Sequence, residues 1–368
     1  MQNTNNGMDT LLKRGVVLVV VFFVGALSMF ALVKYYPNTV TENVTKTIKD
    51  VTVNEQGIAD AVEKIYDAVV TIETYQKNTL YATGTGFVYK SENDHAYVLT
   101  NHHVIEKGET VKVVFTNDKR VEAKVVGSDK YADIAVLMIN SEDVIQVASL
   151  GSSKASRIGD TVFAVGAPID SSAYSWTVTR GIVSGKDRLV EVSLTNSSVS
   201  DWVMSVIQTD AAINSGNSGG PVSNSNGEVI GIASMKLGGS ISGSATIEGM
   251  GFAIPIEDAL EYAQKLESGK PIERPYLGVG MYNLSDTRYT APVSSGVYVD
   301  SVEKGSPAEA AGLKPGDVIV KVNDNEIKSL AYLKYQLYKH NVGDTISVSF
   351  YRGEKLETTS IHLSKAAS

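Results

Sequence analysis

Asp210-Ala-Ala-Ile-Asn-Ser-Gly-Asn-Ser-Gly-Gly-Pro221 is the most informative run of this chain. A serine hydroxyl is a poor nucleophile unless a base removes its proton and nearby donors receive the resulting negative charge. Glycines around Ser218 permit turns that a side chain would forbid, so the amides of Gly216 and Ser218 can converge on one point, with Asn217 shaping the turn. A polar loop between strands is the simpler interpretation of these residues alone. A candidate histidine and a candidate carboxylate upstream in the chain favour instead a nucleophilic serine in a turn that binds an oxyanion.

Five histidines are candidates for the base, because histidine is the side chain suited to proton transfer near neutral pH. His102 and His103 end an apolar run that begins at Ala96. Neighbours on an extended strand point to opposite faces, so at most one of the two can face a given site. A metal pair of His102 and His103 with Glu106 is a weak alternative, since no further ligands complete it. The other three histidines are expected at the surface: His95, His340 and His362.

Asp133 is the candidate carboxylate that would hold the histidine in its correct tautomer. It precedes the apolar run Ile134-Ala-Val-Leu137, where an isolated acidic residue is usually only a turn residue. Its place between the histidine and the serine gives the chain order His, Asp, Ser. That order is found in chymotrypsin-like double β-barrels, whereas subtilisin-like and α/β-hydrolase folds use other orders.

Several ordered blocks of the chain resemble the signature segments of the HtrA family of serine proteases. These blocks are Leu99-Thr-Asn-His-His-Val104, Asp133-Ile-Ala-Val136, Thr177-Val-Thr-Arg-Gly-Ile-Val-Ser184, Gln208-Thr-Asp-Ala-Ala-Ile-Asn214 and Gly216-Asn-Ser-Gly-Gly-Pro221. The resemblance covers the chain from about Ala59 to its end and selects His103 over His102. It implies a mainly β fold, with two six-stranded barrels and the triad His103, Asp133 and Ser218 in the cleft between them. No metal or organic cofactor is required.

The resemblance also implies residues for specificity and regulation. The family's S1-lining stretches match Ile213, Ser234, Met235 and Lys236, where Lys236 departs from the usual apolar residue and is expected to reach solvent. Arg188 matches an arginine in the family's regulatory loop. Family members assemble through the protease domain, so a homotrimer or a higher multiple is expected.

Composition limits the possible partners. The chain has 368 residues, which suits two domains with additional segments. Its net charge of −8 provides no basic footprint, so a nucleic-acid partner is not expected. It contains no cysteine, which excludes disulfides, thiol catalysis and cysteine-based metal sites.

An apolar segment over residues 15–33 predicts a membrane-spanning helix. It follows Lys13-Arg14, shows no polar face and approaches the roughly 20 residues that cross a bilayer. A cleavable signal peptide is the alternative, because Ala26-Leu27-Ser28 resembles a cleavage site. The apolar run continues past that point, which favours an uncleaved anchor in the cell membrane. The basic pair favours a cytoplasmic N-terminus at residues 1–14 and the remaining domains on the extracytoplasmic side.

The rest of the chain divides into a linker and two domains. Residues 34–57 are polar and predict a tether. Short alternating strands separated by turn signals predict an all-β protease domain over 58–267, closed by a helix from Ile256 to about Leu266.

Residues 275–366 resemble the PDZ domain that is appended to HtrA proteases. Ser306-Pro-Ala-Glu-Ala-Ala-Gly312 predicts a helix with a proline start and a glycine stop. Tyr276-Leu-Gly-Val279 is expected to open a strand beside which a peptide C-terminus adds, and the amides of Tyr276, Leu277, Gly278 and Val279 would hold its carboxylate. A buried strand start is the alternative interpretation of that segment.

Together these features predict a membrane-anchored serine endopeptidase that acts on unfolded, misfolded or regulatory proteins outside the cytoplasm. Such proteases serve protein quality control and stress responses in the family that the chain resembles. A catalytically silent PDZ adaptor tethered to the membrane is the alternative, and reaction with a fluorophosphonate probe would distinguish the two.

Overall fold

The computed structural model describes residues 5–35, 56–166, 176–192, 202–214, 216–234, 249–269 and 272–365. The chain forms two compact units, Met1–Glu55 and Gln56–Ser368. In the first unit, helix α1 (Asn5–Tyr35) contains the predicted apolar segment and extends beyond both of its ends. Its stretch Lys13–Ala31 has a mean hydropathy of 2.3, and its side chains are exposed, so its length and composition fit a membrane span. The predicted linker lies outside the described residues except at its ends, which are helical.

The second unit begins with helix α2 (Gln56–Tyr66) and a closed barrel of six antiparallel strands. The strands follow the barrel order β1-β2-β3-β6-β5-β4. Their alternating apolar side chains fill the interior, with Val70, Ile72 and Leu137 fully buried. The bounds are β1 (Val69–Gln76), β2 (Thr79–Glu92), β3 (His95–Thr100), β4 (Thr110–Val114), β5 (Arg120–Asp129) and β6 (Ile134–Asn140).

A second closed barrel of six strands follows, in the order β10-β11-β12-β9-β8-β7. Its bounds are β7 (Thr161–Gly166), β8 (Thr177–Val192), β9 (Trp202–Thr209), β10 (Pro221–Asn224), β11 (Val229–Ala233) and β12 (Gly251–Pro255). The predicted double-barrel fold is therefore confirmed.

Two of the described helices follow directly after barrel strands. Helix α3 (His102–Ile105) leaves the end of β3 and buries Val104 and Ile105. Helix α4 (Ile256–Glu267) begins directly after β12, as predicted, and buries Ile256, Ala259, Ala263 and Leu266 along one face. That face contacts β5 and β6 of the first barrel and β11 and β12 of the second, so α4 fixes the two barrels together.

The C-terminal module is an antiparallel sheet in the order β14-β15-β16-β18-β19, with two helices. Its elements are β13 (Pro275–Tyr276), β14 (Val279–Asn283), β15 (Val297–Val302), α5 (Pro307–Ala310), β16 (Asp317–Val322), β17 (Asn325–Glu326), α6 (Leu330–Leu337), β18 (Thr345–Arg352), β19 (Lys355–His362) and β20 (Ser364–Lys365). Ser306 caps α5 by accepting from the Glu309 amide, and Pro307 is its first residue. The predicted helix start is thus correct.

The predicted strand opening at Tyr276 is wrong in one respect. Tyr276 ends β13, which pairs with β20, and Val279 begins the separate strand β14. Gly278 between them has φ +78°, a left-handed conformation that breaks the extended backbone.

Helix α6 of this module packs against β9 of the second barrel. Tyr338, the C-cap residue of this helix, packs against Trp202 with 5.1 Å between ring centroids and meets Tyr131 edge-to-face at 5.7 Å. The Arg274 guanidinium lies 4.2 Å above the Tyr131 ring and forms a salt bridge with Asp129. These five side chains, here called the clasp, connect the C-terminal module to the turn that precedes Asp133.

Candidate active site

His103 lies on helix α3 and not on the end of a strand. Successive helical residues still differ by about 100° in direction, so the expectation that neighbouring side chains diverge holds. The His102 Nδ1 atom lies 3.0 Å from Ser128 Oγ, whereas the His103 ring faces Asp133. Within the described ranges, no group of three or more His, Cys, Asp or Glu side chains could hold a metal ion.

Asp133 and His103 are in direct contact. His103 Nδ1 lies 2.9 Å from both carboxylate oxygens, and the His103 backbone amide donates to Asp133 Oδ1 at 3.1 Å. Ser234 Oγ donates to Asp133 Oδ2 at 2.9 Å. Asp133 is only 1% exposed, so these bonds replace the water that a carboxylate would otherwise require. The arrangement can fix the imidazole tautomer with its proton on Nδ1.

Ser218 lies in a tight turn whose backbone is held by both barrels, through Thr85 of β2 and Ala233 of β11. Its carbonyl accepts from the Thr85 amide at 2.9 Å, and the Gly219 amide donates to Ala233 O at 2.9 Å. Thr85 Oγ1 also donates to the Gly216 carbonyl. Gly219 has φ +84°, and a Cβ there would lie 2.2 Å from Thr85 O. The turn therefore requires glycine for its conformation and for the close approach of strand β2.

Asn217 connects this turn to the segment before it. Its Nδ2 donates to Ala212 O at 3.1 Å, and its amide donates to Asn214 O at 3.0 Å. Thr179 Oγ1 of β8 donates to the same Ala212 carbonyl at 2.8 Å. These bonds link the turn to residues 212–214.

The predicted specificity residues are only partly described. Ile213 is half-buried and packs closely against Gly251 of β12, where an added Cβ would lie only 2.6 Å from Ile213 Cγ1. Ser234 is buried with its hydroxyl directed to Asp133. Met235 and Lys236 lie outside the described residues.

The predicted regulatory residue Arg188 is exposed and lies within β8, where it pairs with Val206 of β9 across an irregular register. The structure therefore places it where β8 pairs with β9, a few residues before β8 ends at Val192.

The predicted carboxylate-binding segment lies at the edge of the C-terminal module. Leu277 O accepts from the Ala308 amide at 3.0 Å and Gly278 O accepts from the Glu303 amide at 2.9 Å. The Tyr276 hydroxyl donates to Glu303, and this bond, with burial, raises the pKa of Tyr276 above its usual value. Strand β14 ends the sheet, and helix α6 lies beside it. An edge strand beside a helix can accept a further extended chain.

Sequence reasoning missed several residues that hold the candidate triad. Ser234 was assigned to specificity, yet its hydroxyl contacts Asp133 across 101 positions. Thr85 contacts Gly216 across 131 positions, and Asn101 contacts Asp133 across 32 positions. Asn101 adjoins the histidines, but no local pattern indicates its partner.

The chain has clear relatives among known proteins. Residues 84–232 match the trypsin-like peptidase domain and residues 275–363 match the PDZ domain. The serine protease Do-like HtrA of Lactococcus lactis subsp. cremoris (strain MG1363) is 38% identical over 364 residues, which cover 90% of this chain and 89% of that protein. The serine protease Do-like HtrA of Bacillus subtilis (strain 168) is 40% identical over 333 residues, covering 83% and 72%.

Solved structures agree with these matches. The serine endoprotease from Yersinia pestis is 31% identical, with a TM-score of 0.63, and the alignment covers 84% of this chain and 98% of that chain. The HtrA-type protease AlgW with decapeptide is 28% identical, with a TM-score of 0.64 and coverage of 84% and 99%.

Proposed function

The chain belongs to the HtrA family of Do-like serine proteases, and from this membership we propose that it cleaves proteins through Ser218, His103 and Asp133. Ser218 Oγ attacks the carbonyl carbon of a peptide bond while His103 Nε2 takes its proton. His103 then gives the proton to the departing amine, which leaves an acyl group on Ser218. A water molecule, activated by the same histidine, releases that acyl group. Asp133 orients His103 and stabilises its protonated form.

The proposed oxyanion site consists of the amides of Gly216 and Ser218, with Asn217 holding the turn. A single donor of this kind is typically worth about 3 kcal/mol of transition-state stabilisation. The bonds from Thr85 to Gly216 and Ser218 support this role, because they fix the turn on both sides of Asn217. Pre-organised donors need no rearrangement when the charge develops.

The observation that carries the proposal is the contact of His103 Nδ1 with both Asp133 carboxylate oxygens at 2.9 Å. Replacement of Ser218 by alanine is expected to abolish cleavage of an unfolded protein substrate while the chain still folds. Ser223→Ala is a suitable control, because Ser223 is a fully buried serine of the same barrel whose hydroxyl has no bond to a described residue. Proteolysis that persists in Ser218→Ala would refute the assignment.

We assign residues 58–267 to the protease domain and 275–366 to the PDZ domain. The amides at Tyr276, Leu277, Gly278 and Val279 would bind the carboxylate of a peptide C-terminus, and the peptide would add as a strand beside β14. Titration with short peptides should therefore show binding that is lost when the peptide C-terminus is amidated. The same titration in the presence of a chromogenic substrate would show whether that binding activates the protease.

Residues 15–33 would anchor the protein in the cell membrane, with residues 1–14 in the cytoplasm and the protease and PDZ domains on the extracytoplasmic side. The exposed apolar surface of α1 supports an anchor, and N-terminal sequencing of the membrane-bound protein would distinguish it from a cleaved signal.

Unfolded or misfolded proteins are the proposed substrates, with Ile213 and the segment Ser234, Met235 and Lys236 forming the S1 site. The Ser234 hydroxyl, being directed to Asp133, would leave only the backbone of that residue for the S1 wall. Arg188 is the proposed regulatory residue, and a homotrimer or a higher multiple is the proposed assembly. Light scattering of the detergent-solubilised chain would test the assembly.

A further inference from the structure

Asn101 is fully buried beside the proposed catalytic pair and has no part in the chemistry set out above. Its Nδ2 donates to the backbone carbonyl of Asp133 at 2.9 Å. It stands at the N-cap of α3, where an asparagine side chain normally accepts from a helix amide. Here it makes no such capping bond. Its amide is therefore committed to Asp133 and not to the helix that it precedes.

The chemistry of the amide fixes its orientation. A carbonyl oxygen can only accept, so Nδ2 must face Asp133 O, and Oδ1 must point the other way. Among the described residues, Oδ1 meets no donor although it is buried. Buried acceptors without a donor are disfavoured in folded proteins. Burial of this acceptor costs free energy, and the bond from Nδ2 to Asp133 is the interaction that can offset it.

Asp133 itself adopts an uncommon backbone conformation. Its φ is +55°, in the left-handed region that residues with a Cβ seldom occupy, although aspartate enters it more readily than most. In this conformation its carbonyl meets Asn101 while its carboxylate meets His103 Nδ1. A return to the right-handed region would turn the carbonyl away from Asn101 and would displace the carboxylate from the imidazole.

We infer that Asn101 is a positioning residue, which holds Asp133 in the left-handed conformation by binding its carbonyl and so keeps the carboxylate on His103. This inference rests on the proposed roles of His103, Asp133 and Ser218. In this role Asn101 contributes to turnover and not to substrate binding.

The test compares Asn101→Ala and Asn101→Leu with the unmodified full chain in detergent. Asn101→Leu keeps a similar side-chain volume but has no donor, and Ser223→Ala controls for loss of a buried polar group. Because a displacement of about 1 Å in a catalytic group costs about 10²-fold, we expect kcat on a chromogenic peptide to fall by about that factor in both variants. KM should stay unchanged, since no substrate contact is lost. The far-downfield proton resonance of the His103–Asp133 hydrogen bond should weaken or shift, which a loss of general stability would not cause.

Folded Asn101 variants with wild-type kcat and an unchanged downfield resonance would overturn the inference. If neither variant folds, the unmodified chain decides the matter. Slow solvent exchange of the Asn101 side-chain amide protons would support the bond to Asp133, and exchange as fast as that of an exposed amide would contradict it. Loss of activity in Ser218→Ala together with full activity in Asn101→Ala would sink this inference alone, whereas activity in Ser218→Ala would sink the proposed function.

Discussion

Ser234→Ala should lower turnover through its effect on Asp133. The Ser234 hydroxyl donates to Asp133 Oδ2 at 2.9 Å, and both residues are about 1% exposed. In Ser234→Ala this donor is lost, and because the site is buried, water cannot readily take its place on the carboxylate. A hydrogen bond to a charged group is worth about 1.5–3 kcal/mol. Since about 1.4 kcal/mol corresponds to a tenfold change in rate, we expect kcat to fall by roughly 10- to 100-fold.

The assay is steady-state cleavage of a chromogenic peptide, with kcat and KM determined separately. KM should change little, because the removed hydroxyl is directed to Asp133 and not to the proposed substrate cleft. Ser234→Thr is the matched control, since it retains a hydroxyl and should keep most of the turnover. A folded Ser234→Ala variant with wild-type kcat would refute the reasoning, as would a loss confined to KM.

Three further predictions concern stability and the clasp. Gly219→Ala should abolish activity and lower the melting temperature strongly, because the added Cβ would lie 2.2 Å from Thr85 O. Gly269→Ala is the control, since Gly269 also has a positive φ, +65°, but a Cβ there would enter open space. Its free energy of unfolding, measured with denaturant, should fall by only about 1–2 kcal/mol. Arg274→Ala should lower the free energy of unfolding by roughly 3 kcal/mol, because it leaves the buried Asp129 carboxylate without its cationic partner. Trp202 fluorescence should report the loosened clasp. Arg274→Lys should restore only part of the lost stability, because lysine cannot stack over the Tyr131 ring. Burial opposes ionisation of Glu257, but the hydroxyls of Ser152 and Ser153 and nearby backbone amides lower its pKa from 4.5 to about 2. Because its pKa is lower in the folded state, ionised Glu257 stabilises the fold above pH 4.5, and this contribution is lost as the pH falls towards 2. The difference in unfolding free energy between the wild type and Glu257→Gln should therefore shrink between pH 4.5 and 2.

The barrels could be predicted because their information is local. Strand alternation and turn residues lie within a few positions of each other, as do Ser306 and Pro307 at the start of α5. The candidate triad could be named because glycines around Ser218 and the order of three residue types are visible in the sequence.

Contacts between distant segments could not be predicted in the same way. The hydroxyl of Ser234 reaches Asp133 only because β11 ends beside the start of β6, and nothing near residue 234 indicates this. Asp133 has φ +55°, which aspartate tolerates better than most residues, but its partners Asn101, His103 and Ser234 come from segments that no local pattern links to it. The break at Gly278 was missed because a single glycine in an apolar run fits a strand and a turn equally well.

The most direct test is to treat the full chain with a fluorophosphonate and to locate the adduct by peptide mapping. Covalent phosphonylation of the hydroxyl at position 218, strongly reduced in His103→Ala, is the result we predict. Substrate cleavage without any adduct at that serine, or equal labelling when the imidazole is removed, would contradict the account.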